Sequence, residues 1–186
     1  MRYLWLDIES TGTDFNKCSI CEIGCFITDD DFVEKYVFHE VIKQEATYWE
    51  QGAMQMHLDN GLIDDMNSNI SRTESEVIES FKNYLEKYKP DDSLYCLAGS
   101  SVHFDRNILN AQWGSDMMNY FSHRIADVSS VKCFFRSLIG DEETFRFDNN
   151  PLEMKFSKHR VMDDIRYSLN LFKYYVSKGY IGNSFN

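Results

Sequence analysis

Two stretches near the N-terminus narrow the choice of fold more than any other feature. Residues 2–8 (RYLWLDI) and 20–28 (ICEIGCFIT) carry apolar side chains on both faces of an extended chain. Side chains alternate across a strand, so such segments are covered from both sides and belong in the middle of a sheet. A polar turn, Asp29-Asp30-Asp31, follows the second. Residues 32–42 (FVEKYVFHEVI) then supply a third strand and an antiparallel start. Residues 45–57 are expected to be helical, and 58–71 (LDNGLIDDMNSNIS), rich in turn formers, to be a loop. Thr73 and Glu76 have the spacing of a capping box. The helix that follows places Val77, Phe81, Tyr84, Leu85 and Tyr88 on one face and ends at Pro90. Further on come a short buried strand from Leu94 to Ala98, a helix from Asp105 to Gln112, a last strand at 124–127 and a helix through Leu138. Residues 140–158 read as irregular and polar, and Val161, Ile165, Leu169, Phe172 and Val176 form the apolar stripe of a final helix. The expected architecture is one α/β domain over residues 1–186. Its mixed five-stranded sheet has three antiparallel strands, then parallel ones, flanked by helices.

Charge restricts the partners. Nineteen Lys and Arg against thirty Asp and Glu give a net charge of -11. Long nucleic acids are gripped mainly by neutralising phosphates with cationic side chains, so this balance argues for a short substrate or a non-nucleic one. Cys18, Cys21, Cys25, Cys96 and Cys133 make an odd set with no zinc spacing beyond one CxxC, and are expected to be reduced, small and buried. That suits the cytosol. No stretch reaches the ~18 apolar residues of a membrane span, and no export signal is recognisable.

The first strand runs into Asp7-Ile8-Glu9. Acids at i and i+2 of a strand point to one face, where they either solvate a strand end or form the mouth of a site for a hard divalent cation. Asp105 follows a buried strand and Gly99-Ser100-Ser101, at the start of a helix whose dipole favours an acid in any case. His159 precedes the last helix, and Asp164 lies in its first turns at the edge of the apolar stripe, with Asp163 turned about 100° away. Four carboxylates and one His are what two-metal phosphodiester hydrolysis requires. Two cations ~3.5–4 Å apart clamp the attacking and leaving oxygens, and an imidazole takes the proton of the attacking water.

Five segments in this order resemble the DEDDh exonucleases of the ribonuclease H-like fold, and among them the oligoribonuclease family. They are LWLDIESTG, HLDNGL (57–62), GSSVHFDRNIL, YFSHRIADVSSVK (120–132) and HRVMDDIRYSLNLFKYY (159–175). The resemblance implies metal ligation by Asp7, Glu9, Asp105 and Asp164, with two Mg²⁺ or Mn²⁺ ions, and His159 as general base. It implies 3′→5′ release of 5′-mononucleotides from single-stranded RNAs of two to five nucleotides, by a cytoplasmic homodimer. The alternative within the same superfamily is a broader exonuclease acting on single-stranded DNA or longer RNA. Ser101, Arg124 and Ser129 fall on the positions that, in that family, form a pocket capping the 5′ phosphate. Gly12, Thr13, His57 and Leu62 fall on segments that, in that family, contact the bases or the 3′ end. A single Arg fork on one phosphate would let an acidic protein hold RNA. The chain departs from the family pattern at Thr13 (Leu), His123 (Tyr) and Phe104 (Gln), and the spacing of Trp49 to His57 differs. Glu22 is expected to cap a backbone group, Arg106 and Arg166 to be structural ion-pair partners, and the aromatic residues at 167–175 to be core or dimer contacts.

Overall fold

The structure is a computed structural model that describes residues 2–89, 94–139 and 159–177. Strands β1 (Tyr3–Ser10), β2 (Ile20–Thr28) and β3 (Lys35–Val41) come first, followed by helices α1 (Gln51–Asp59), α2 (Leu62–Met66) and α3 (Glu74–Lys87). Then come β4 (Tyr95–Gly99), α4 (His103–Trp113), a 3-10 helix (Ser115–Tyr120), β5 (Phe121–Asp127), α5 (Val128–Ile139) and α6 (Val161–Ser177). The sheet order is β3-β2-β1-β4-β5, antiparallel across β1, β2 and β3 and parallel across β1, β4 and β5. This is the mixed five-stranded sheet expected from the sequence.

The apolar character of β1 and β2 on both sides is explained by two cores. Leu4, Leu6 and Ile8 join Ile23, Val77, Phe81, Leu85, Ile108 and Leu109 under α3 and α4. Trp5, Phe26 and Ala98 join Val128, Ile165, Leu169 and Tyr175 under α5 and α6. The Thr73–Glu76 capping box forms, with backbone Thr73 N donating to Glu76 Oε2 at 2.9 Å, and fixes the start of α3.

Three expectations need correction. Residues 58–71 hold helix α2, because Leu62 and Met66, four apart, pack on Cys21 and Val41; tertiary burial outweighs the turn formers around them. Helix α1 starts only at Gln51, since Glu50 is extended. Cys133 is exposed, unlike the other four thiols, and none of the five is in a disulfide. Pro90 and the segment 140–158 lie outside the described residues.

Candidate active site

Asp7 and Glu9 leave the same face of β1, with Gly24 and Glu22 as their respective neighbours on β2. Beyond Glu9 the register shifts, and the chain is pinned by Thr11, whose N–H donates to Ser19 O (3.0 Å) and whose carbonyl accepts from Glu50 N (2.9 Å). Asp105 stands in the first turn of α4, buried at 4% exposure, and its carboxylate accepts a hydrogen bond from the Ile8 N–H. Asp164 comes from the first turn of α6. Carboxylate oxygens of Asp7, Glu9 and Asp164 all lie within 4.8 Å of one another. Asp105 is close enough to add its charge to the acidic surroundings of Asp7.

The electrostatics of this cluster are unfavourable without a cation. Burial, followed by repulsion from Asp105, Glu9 and Asp164, pushes the Asp7 carboxyl well above its ordinary range. Burial and then Asp164, Glu22 and Asp105 push Glu9 up to about 8. Burial also raises Asp105, against the pull of its backbone hydrogen bonds. Converging oxygen donors of one sign suit hard divalent ions, which accept carboxylates directly and fill their remaining positions with water or phosphate oxygens. The donor set therefore fits the implied metals.

His159 precedes α6 in a left-handed backbone conformation (φ 51°), and the Asn60 side-chain amide donates to its carbonyl. It lines an open cleft of about 720 Å³ with Gly52, Gln55, Met56, Asp59 and Asn60 of the α1 side. The cleft is wide enough for a nucleoside-sized group.

The remaining sequence candidates divide. Thr13 is exposed at the loop after β1, and its N–H (2.9 Å) and hydroxyl (3.0 Å) both donate to Glu50 Oε1. The same carboxylate lies 2.8 Å from where a Cβ on Gly12 would stand, so Gly12 permits this closure. Ser101 and Ser129 meet, Oγ to Oγ at 3.2 Å, with both backbone N–H groups donating to Asp127 Oδ1. Arg124 is exposed on β5, and no described contact brings its guanidinium to that pair. His57 and Leu62 are fully buried and offer no surface to a substrate in this structure. Leu62 packs on β2. His57 instead backs the first strand: burial lowers its pKa, its Nε2–H donates to Ser10 O (2.9 Å), and Glu9 Oε2 lies 4.0 Å away. Its Nδ1 has no hydrogen-bond partner among the described residues.

One feature of the site was not visible in the sequence. Glu22 does accept a backbone N–H, from Val161 at 3.4 Å, but its main partner is Arg160, gripped through Nε (3.1 and 3.0 Å) and Nη2 (2.9 Å). Arg160 also reaches Asp65 of α2 at 2.8 Å, and His39 Nε2 lies 2.7 Å from Glu22. The only signal was an acid inside an otherwise apolar strand, which requires a buried partner. Arg166 pairs with Glu34 as expected, whereas Arg106 donates to the Ser122 carbonyl rather than to an acid.

A family model described as "Exonuclease" matches residues 4–172. The chain is 30% identical over 179 residues to the mitochondrial oligoribonuclease of Homo sapiens, covering 94% of this chain and 71% of that one. This chain belongs to the oligoribonuclease family of exonucleases. It is also 28% identical over 185 residues to the oligoribonuclease of Francisella tularensis subsp. novicida, covering 94% of each. Among solved structures, the zinc-bound Escherichia coli exonuclease I–ssDNA complex superposes with a TM-score of 0.69 at 15% identity, over 95% of this chain. The chain spans about 40% of the length of that exonuclease I, and the likeness is one of fold.

Proposed function

We propose that this family member is a metal-dependent 3′→5′ exoribonuclease that shortens RNAs of two to five nucleotides to 5′-mononucleotides. The observation that carries the reading is the meeting of Asp7, Glu9 and Asp164 oxygens within 4.8 Å, with Asp105 near enough to repel Asp7. Their raised pKa values mark a site built to be neutralised by something cationic.

Asp7, Glu9, Asp105 and Asp164 would hold two Mg²⁺ or Mn²⁺ ions, which supply a water of lowered pKa and neutralise charge on the scissile phosphate. His159, beside the cleft, accepts the proton of the attacking water. The α1 side of the cleft receives the 3′-terminal nucleoside. His57 holds the backbone at Ser10 and so fixes the end of β1 that carries Glu9. Ser101 and Ser129, with Arg124, bind the 5′ phosphate, so that substrate length is measured by one anion contact rather than by a basic groove. This suits a chain of net charge -11. The chain works as a homodimer in the cytosol. The exposed Phe134 and Ile125 offer apolar surface for self-association, and the unbridged thiols suit a reducing compartment.

Turnover of labelled RNAs from two to twenty nucleotides, with Mg²⁺ and with Mn²⁺, tests this. Rates should fall steeply with length. Equal rates at all lengths, or equal turnover of single-stranded DNA, would favour the broader exonuclease instead. Arg124→Ala should raise KM for 5′-phosphorylated dinucleotides about tenfold or more and leave 5′-hydroxyl dinucleotides nearly unchanged.

A further inference from the structure

Glu22 is a carboxylate 1% exposed in a strand whose every residue is buried. It holds the two Arg160 nitrogens, the His39 ring and the Val161 N–H. Arg160 is the residue directly after His159 and directly before α6, and its second contact ties it to Asp65 on α2. Asn60 holds the His159 carbonyl, in the peptide that joins His159 to Arg160. His159 itself stands at φ 51°, a conformation that costs a non-glycine residue of order 1 kcal/mol and persists only where its surroundings over-determine it.

Helix α6 has a separate anchor. A Cβ on Gly24 would lie 2.6 Å from Val161 Cγ2 and 3.0 Å from Met162 Sδ. The helix therefore rests directly on the backbone of β2, and Asp164 rides on it. Two neighbouring devices on β2 thus face the two functional groups of one segment.

We propose that Glu22 and Arg160 are positioning residues for His159: the ion pair locks the strained residue before α6 so that its imidazole faces the cleft, while the Gly24 contact sets Asp164. This rests on the general-base role given to His159 above. The planar guanidinium takes both Glu22 oxygens and Asp65 at once, which a point charge cannot do. The pair thereby fixes direction as well as distance.

The test is the double variant Glu22→Gln/Arg160→Met, which removes both charges and leaves no unpaired buried ion. Its kcat on a dinucleotide should fall about 30- to 100-fold, the scale of a misplaced catalytic group, with KM within about twofold. Mn²⁺ affinity by calorimetry should stay within about threefold, whereas Gly24→Ala, which moves Asp164, should weaken it more. In a His159→Ala background the same double change should cost less than about threefold, because the group it positions is gone. Arg160→Lys should recover only part of the rate. Amide exchange at Val161 should quicken about tenfold or more in the double variant, with residues 165–175 unchanged. A full loss of rate repeated in the His159→Ala background, a matching loss of Mn²⁺ affinity, or unchanged exchange at Val161 would each overturn the proposal. If the wild-type chain hydrolyses no RNA of any length, the proposed function fails, and the exchange measurement still decides whether the clamp exists.

Discussion

Glu9 and Glu22 are neighbours on adjacent strands, both nearly inaccessible, and the protein treats them in opposite ways. Around Glu22 the chain supplies its own cation. Burial alone would raise that carboxyl, but hydrogen bonds from His39 and Arg160 outweigh it and hold the group below its ordinary value. Around Glu9, burial and then the nearby acids Asp164, Glu22 and Asp105 outweigh the pull of Arg160, and the group rises to about 8. The difference shows where the fold is self-sufficient and where it is waiting for a partner. A buried charge is tolerated only when compensated, so the compensated region is architecture and the uncompensated one is where we propose that cations bind.

The two regions should respond oppositely to substitution. The largest effect belongs to the acid cluster: Asp105→Ala should reduce turnover at least about a thousandfold, by removing a carboxylate proposed to hold the cations. Asp105→Asn, which keeps an acceptor for the Ile8 N–H, should be no less stable without metal than the wild type, because a repulsion is relieved; a drop of several degrees in Tm in chelator would show that the cluster is not strained. In the compensated region, Arg160→Met alone strands Glu22 and should cost about 3 kcal/mol of unfolding free energy by denaturant titration.

Next in size is a pH effect of opposite sign at the two glutamates. Glu9 has its folded pKa raised from 4.5 to about 8. The folded chain then keeps a proton that the unfolded chain has released, so metal-free stability is intact below about pH 4.5 and falls as pH rises through 8. In chelator, Tm should drop by about 5 °C or more between pH 5 and pH 8, and excess Mn²⁺ at pH 8 should restore it. Glu9→Gln should flatten this slope. Glu22, with its folded pKa lowered, contributes stability above its unfolded value and loses it on acidification, so Glu22→Gln should leave the alkaline loss in place. The smallest effect is expected where solvent already compensates: Arg166→Ala breaks the exposed pair with Glu34 and should change stability by less than about 1 kcal/mol and turnover not at all.

The same contrast explains how much could be read from the sequence. Asp7 and Glu9 were legible because alternation on a strand forces i and i+2 to one face, and Asp164 because helical spacing puts it beside an apolar stripe. The meeting of these groups follows from a sheet whose two central strands announce themselves by being apolar on both sides. Glu22 was legible only as an anomaly, since its partner lies 138 residues away and nothing local names it. His57 was placed among the substrate contacts by likeness of motif, yet the chain turns it inward to the Ser10 carbonyl, a choice made by the packing of α1. Helix α2 was missed for the same reason: Leu62 and Met66 bury themselves against β2, and no local preference encodes that contact.

The bare backbone at Gly24 has a further consequence. At Gly24 the first turn of α6 comes against β2 with no intervening side chain from the strand, and Asp164 is carried in by that spacing. If the proposed cations bind there, the gap left among the carboxylate oxygens is a gauge of ionic radius. Widening it by one methyl group should shift preference from Mg²⁺, bound at ~2.0–2.1 Å, toward Ca²⁺ at ~2.3–2.6 Å, which the site would hold without hydrolysing anything.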